Sequence, residues 1–310
     1  MSTIIPAVSL ETMRGSSRRR RKEAVVKAVF ASAAALGLVI SLAIVGALAV
    51  EAIRWLSRID LGSLWSEGWV PRSDEFDLLT LFAGTMMIAV VAMAVAAPLG
   101  LGAAMFLSEY ASPRMRRYLK PVIETLAGIP SVVLGYFALT VINPTIVQKL
   151  FSSAGTFNFL SAGIAVGILT IPLVATVSED AMHSVPGSLR EGAYGLGARR
   201  RTVSTTVVFP AAVSGIVASL ILGFARAVGE TMVVAIAAGA TGSALRTFNP
   251  LHGGQTMTGA ISSLAIGSDQ VRGSGNAFPA LYFVGLLLFV ITFVLNLVSE
   301  RFVRRVRRMG

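Results

Sequence analysis

Residues 78–107 read LLTLFAGTMMIAVVAMAVAAPLGLGAAMFL, thirty positions without a charged side chain. A helix rises about 1.5 Å per residue and the hydrocarbon core of a bilayer is about 30 Å thick, so about 20 such residues cross it. This stretch is longer than one crossing requires and must tilt or run past the bilayer. Five further stretches are apolar enough to do the same: 25–50, 122–142, 160–177, 207–240 and 278–298. The fourth crossing, 160–177, is the shortest and contains Pro172, whereas 207–240 exceeds one crossing. Within 160–177, Gly163 and Gly167 form a small-xxx-small pair, the spacing that lets two helix backbones approach in lipid. The expected fold is an all-α integral membrane protein with six transmembrane helices.

The composition excludes the main alternative. The 310 residues are 54% hydrophobic and 14% charged, against about 25% charged in soluble domains. A formal net charge of +11 would otherwise suggest a nucleic-acid binder, but a basic groove needs a soluble scaffold. With no cysteine, a disulfide framework and thiolate metal sites are excluded.

The charges sort by side. With the N-terminus inside, the inner segments hold Arg14, Arg18, Arg19, Arg20, Arg21, Lys22, Lys27, Arg114, Arg116, Arg117, Lys120, Arg190, Arg199, Arg200, Arg201, Arg301, Arg304, Arg305, Arg307 and Arg308. The outer segments hold only Arg54, Arg58, Arg72, Lys149, Arg246 and Arg272, and Arg226 falls within the fifth span. Lys and Arg in short loops favour the cytoplasmic side, so both termini are expected there. The first 24 residues read as a basic cytoplasmic arm and 25–310 as the membrane domain. The first apolar stretch is too long for a cleaved signal.

Motifs of catalysis are missing. There is no G-x-x-x-x-G-K-[ST] to cradle ATP, no G-x-S-x-G and no H-E-x-x-H. His183 and His252 fall on opposite sides, so no shared metal is expected, and no cofactor.

Three features carry function. The inner segment 178–206 contains a short helix starting near Pro186, with Ser184 or Ser188 as its cap and Glu191 in its first turn. Gly195 and Gly197 end it before Arg199–Arg201. By periodicity alone, a docking handle and an ordinary surface helix are equally good readings.

The second feature is Arg226 with Glu230, four residues on, inside the fifth span. On a continuous helix they share a face and can pair. A guanidinium offers a planar fork of donors suited to an oxyanion, and ionisable residues in lipid default to function over a purely structural salt bridge. Gly223 and Gly229 flank the pair and would admit another backbone or a substrate.

In the third, Glu124 is placed near the start of the third span, and Pro130, beside Gly128 and Ser131 with Gly135 beyond, predicts a kink within it. A packed, kinked helix is the plainer reading of these residues.

Resemblance narrows all three. Glu191-x-Ala193, then Gly197, then Val207-x-Phe209-Pro210 matches every interval of the "EAA" loop of importer-type ABC permeases, with Gly192, Val207 and Phe209 as departures. By that resemblance Glu191, Gly192, Ala193 and Gly197 belong to the coupling helix that docks on an ATP-binding subunit. The strings around Ser108-Glu109-Tyr110-Ala111, Leu126-Ala127-Gly128-Ile129-Pro130-Ser131 and Ala225-Arg226-Ala227-Val228-Gly229-Glu230-Thr231 look like the phosphate-uptake branch. Residues 232–239 and 255–258 look like its C-type subunit, the resemblance covering about 78–300.

The resemblance implies a heterodimer with an A-type permease, a homodimeric ATPase, an extracytoplasmic phosphate-binding protein, and phosphate passing Arg226 and Glu230. It implies a multi-pass protein of the bacterial cytoplasmic (inner) membrane. It also implies that ATP hydrolysis lies on the partner. Other oxyanions (sulfate, molybdate, phosphonate), a transporter or channel without an ATPase, and a membrane scaffold or sensor are the competing readings.

Overall fold

A computed structural model describes residues 17–66, 68–239, 244–266 and 275–306. Of the basic arm expected at 1–24, residues 1–16 lie outside these, as do Ala240, Arg272, Arg307 and Arg308. Among the described residues five helices are long and apolar enough to cross a membrane, and a bent pair, taken as one span, makes a sixth.

The chain divides into two units, 1–50 and 51–310. The first carries most of helix α1 (Ser17–Leu56). Side chains 21–44 are exposed. Ser32 and Ser41 donate to the carbonyls of Val29 and Gly37, both at 2.9 Å, which lets hydroxyls sit on an apolar helix.

At the centre of the second unit lie α2 (Leu78–Met105) and α5 (Phe159–His183). Asp77 caps α2 by accepting from the Leu79 amide at 3.1 Å, and Asn158 caps α5 by accepting from Ser161 at 2.7 Å. A Cβ on Gly163 would lie 2.5 Å from Val91 Cγ1, and one on Gly167 2.8 Å from the Ala92 carbonyl. The two backbones therefore approach through those glycines.

The fourth crossing is longer than 160–177 and is the most deeply buried. Hydropathy ends it at 177 because Ser178, Glu179 and Asp180 follow. All three remain helical, with Ser178 Oγ 2.6 Å from Ser219 Oγ and Glu179 held by cations.

The third crossing differs from the expectation of 122–142. Pro113–Leu126 forms a separate helix, α3, capped by Ser112 and with no buried residue. Its Arg114, Arg116, Arg117, Lys120 and Glu124 are too polar for lipid. The chain turns at 127–129, and Pro130 becomes the N-cap of the true span, α4 (Ser131–Leu150). Pro130 thus separates two helices rather than kinking one. Glu124 lies in the last turn of α3, where the dipole does not favour it.

Within α4, π-helical geometry over Ala138–Val147 accommodates Pro144. The buried Asn143 there donates to the carbonyls of Gly155 and Thr156 and accepts from Asn158.

The fifth crossing is not one helix over 207–240. The helices α7 (Arg200–Ala211) and α8 (Val213–Val228) meet at 71°. Pro210, lacking an N–H, sits at that elbow. After α8 the chain breaks, then resumes as the short α9 (Met232–Val234) and a π-helical turn, Ala235–Gly239. The short α10 (Met257–Ile266) and the long α11 (Ala277–Val306) follow.

One element has no sequence signal. Strands β1 (Gly68–Val70), β2 (Glu75–Phe76) and β3 (Ala244–Leu245) form an antiparallel sheet in the order β2-β1-β3. It packs Trp55, Trp69 and Phe76 edge to face at the foot of α2.

Candidate functional site

The segment resembling a coupling loop forms α6 (Gly187–Gly195). Pro186 occupies the N-cap without a side-chain bond, so neither Ser184 nor Ser188 caps it. Ser184 Oγ donates to the Ala181 carbonyl instead. At the other end the Gly197 amide bonds the Tyr194 carbonyl at 2.9 Å and the Ala198 amide bonds Ala193 at 3.1 Å. Gly197 has φ +79°. Those two bonds and that left-handed residue constitute a Schellman stop.

Ala193 packs on a cluster of Ala104, Met182, Val185, Val203, Val208, Ala212 and Ile216, and its small side chain lets α6 lie close. Glu191, Gly192 and Gly197 are exposed. So are Leu189, Tyr194 and Leu196, the last 91% exposed, making an apolar patch on a helix that is otherwise polar.

Arg190, one of the inner basic residues, has a partner that no spacing in the sequence indicates. Arg190 is half-buried and reaches Glu109, which closes the π-helical turn Phe106–Tyr110 after α2. The two are 81 positions apart, so no local pattern links them.

Arg226 and Glu230 are not paired. Arg226 stands exposed in the last turn of α8, which ends at Val228 with Gly229 as C-cap. Glu230 has left the helix, so the i,i+4 face on which pairing was expected does not exist. Its carboxylate instead accepts from the Val233 amide at 3.4 Å, and its carbonyl accepts from Thr258 Oγ1 at 2.7 Å.

The break is backed by polar groups of neighbouring elements. Thr256 Oγ1 accepts from the Gly259 amide, capping α10, and Thr85 Oγ1 on α2 accepts from Met257. Gly223 is occupied, since its Cβ would meet Val174 at 2.9 Å. Gly229 has only its own helix nearby. In lipid, irregular backbone of this kind is tolerated where protein or a water-filled path supplies partners. Gly135, in α4, faces Val233 and Ile236 of this same region, 3.1 Å from where its Cβ would be. Pro130 and Ser131 lie at the opposite end of α4 from Leu150 and mark its start.

Among the described residues no group of His, Cys, Asp and Glu side chains is placed to hold a metal ion. Arg116 contacts His183 at 3.1 Å, and the His252 carbonyl accepts from Phe159.

Apolar crossings, a short helix between two of them and a broken span ending near an exposed arginine describe a multi-pass membrane protein. The chain belongs to the binding-protein-dependent transport system inner membrane component family, which it matches over residues 96–308. It is therefore an inner-membrane protein and an ABC permease subunit.

It is 37% identical over 234 residues to a probable ABC transporter permease protein, YqgH, of Bacillus subtilis, covering 74% of each chain. It is 30% identical to the phosphate transport system permease protein PstC of Mesorhizobium japonicum, covering 92% of each. With PstC of Haemophilus influenzae the identity is 31%, over 92% of this chain and 94% of that one. The fold is shared with a solved bacterial ABC transporter involved in import of the polysaccharide alginate, at 15% identity and TM-score 0.61, over 92% of this chain and 99% of that one. It is also shared with the MetNI methionine ABC transporter, at 16% identity and TM-score 0.53, over 74% and 95%.

Proposed function

We propose that this chain is the C-type permease subunit of a phosphate importer. It pairs with an A-type permease as a heterodimer, rests on a homodimeric ATP-binding subunit and receives phosphate from an extracytoplasmic binding protein. ATP hydrolysis belongs to the partner. The observation that carries the reading is the likeness to two phosphate transport permeases across 92% of this chain. Both termini are taken as cytoplasmic from the distribution of Lys and Arg.

Arg226 supports an anionic cargo. Ionisable side chains within a membrane-spanning segment are costly, so an unpaired arginine at this break needs water, a partner subunit or a substrate. The guanidinium is exposed and Glu230 does not neutralise it. A passing phosphate can take two parallel hydrogen bonds from it. Glu230 holds the start of the next helical turn rather than the arginine. It therefore shapes the path through the backbone, and its charge keeps the anion from binding too firmly. The segment with the exposed Glu191, Gly192 and Gly197 and the packed Ala193 is assigned to the ATPase contact, and the partner permease closes the Arg226 side into a path.

Phosphate uptake by cells carrying Arg226→Ala, at normal membrane abundance, tests the site. Uptake should fall to background, and undiminished uptake would remove Arg226 from the path. Competition by sulfate, molybdate and phosphonate tests the cargo. Failure to co-purify with an ATPase would favour a stand-alone transporter or channel.

A further inference from the structure

Two neighbouring side chains of the turn that closes α2 reach the segment around α6. Glu109, with its side chain 5% exposed, accepts from Arg190 Nη2 at 2.9 Å, and Ser108 Oγ donates to the same oxygen at 2.8 Å. Arg190 directs further donors at the Met182 carbonyl in the last turn of α5, at 2.8 Å, and at the Val185 carbonyl two residues past its end, at 2.6 Å. A helix leaves its last carbonyls open and carries partial negative charge there, so a guanidinium is well placed. Past α6, Arg200 lies 5.2 Å over the ring of Tyr110, beside Glu109. One guanidinium therefore joins α6 to α2 and α5 together.

We propose that Arg190, held by Glu109, is a positioning residue that makes α6 move as one body with α2 and α5. A push received by α6 then reaches the spans instead of being absorbed in the loop. The segment needs such a tie. It has nine helical residues and contains Gly187, Gly192 and Gly195, whereas helices under about 12 residues are marginal in water. The charges that make the tie are largely buried, so salt screens them little. The inference rests on the ABC permease reading above and adds to it how the push is transmitted.

The test uses the assembled transporter in liposomes and measures phosphate moved per ATP hydrolysed. Glu109→Gln keeps the shape and removes the charge; Arg190→Lys keeps the charge and loses the planar fork. Each should leave ATP hydrolysis in place while lowering phosphate per ATP by about fivefold or more, the lower end of ordinary coupling between sites. Combining Glu109→Ala with Arg190→Ala should be no worse than the more damaging single change. An unchanged ratio in Glu109→Gln, or losses that multiply in the double variant, would overturn the clamp.

A second readout does not depend on the cargo. The chain has no cysteine, so Ser188→Cys places a single spin label on α6. In the full chain the label should become more mobile when Glu109→Gln is added, and unchanged mobility also overturns the clamp. Failure of the unaltered transporter to move phosphate would strike the cargo reading and leave the clamp to stand on the label.

Discussion

Lys120 Nζ on α3 lies 2.7 Å from Glu179 Oε2, a carboxylate fully buried on α5. Arg116 grips the other oxygen. Both cations remain about a quarter exposed, so they keep access to water while the carboxylate has none. Removing the carboxylate strands no buried charge, but removing both cations does. The Arg116→Ala/Lys120→Ala pair should therefore destabilise by about 3–5 kcal/mol, and Glu179→Leu by clearly less. Thermal unfolding in detergent reads the order, and the reverse order would contradict the burial argument.

The same pair has a pH signature. The hydrogen bond to Glu179 raises the Lys120 pKa above its ordinary 10.5, with burial opposing. A raised folded pKa means the contribution is fully present below the unfolded value and is lost as pH rises through the folded one. Unfolding temperature should carry no Lys120-dependent change between about pH 7 and 9. Only above 10.5 should the original protein and Lys120→Met converge.

The crowding at Gly163 gives a sharper stability test. Any Cβ there falls 2.5 Å from Val91 Cγ1, inside the contact between the two central helices. Gly163→Ala should cost about 1–3 kcal/mol of overpacking and Gly163→Val more. Gly37→Ala, where nothing lies within 4 Å, is the control and should be harmless. Membrane abundance and unfolding temperature check both.

These cases show what a linear reading can reach. Five crossings and the bent sixth are visible as apolar runs because lipid imposes length and hydropathy directly. The Gly163–Gly167 spacing also shows in the sequence. Hydropathy fails where polar groups are satisfied across the fold. Ser178 and Glu179 extend α5 because partners from α8 and α3 meet them. It fails again where a charged face keeps α3 out of lipid, leaving the Val122–Leu126 residues on the surface. The Arg226–Glu230 geometry assumed an unbroken helix, yet Gly229 already stood between them as a warning. Arg190 and Glu109 were beyond reach, since only tertiary folding brings them together.

Asp77 does two jobs at the opposite end of α2 from Glu109. It caps the helix through Leu79 and Thr80, and its Oδ2 accepts from Arg246 Nη2 and Nε at 2.8 and 3.1 Å. The ion pair ties the loop after β3 to α2. Asp77→Asn keeps a capping oxygen and loses the charge, while Asp77→Ala loses both. Asp77→Ala should cost about 1 kcal/mol more than Asp77→Asn, the usual value of a cap. Equal unfolding temperatures for the two would show that the cap contributes nothing.

Two glycines, one within α6 and one just past it, should respond in opposite directions to the same substitution. Gly192 and Gly197 both have open space where a Cβ would go, so packing decides neither. Gly192 lies within α6, where alanine is the better helix former by about 1 kcal/mol. Gly197 sits at φ +79° in the stop that ends α6, and a left-handed alanine costs about 1–2 kcal/mol. Gly192→Ala should therefore firm α6 and preserve uptake. Gly197→Ala should loosen the stop and displace the chain leading to Arg199. Amide hydrogen exchange over 187–198 separates them: slower in the first variant, faster in the second. Parallel changes would mean that contacts outside the segment, rather than its backbone conformation, set its order.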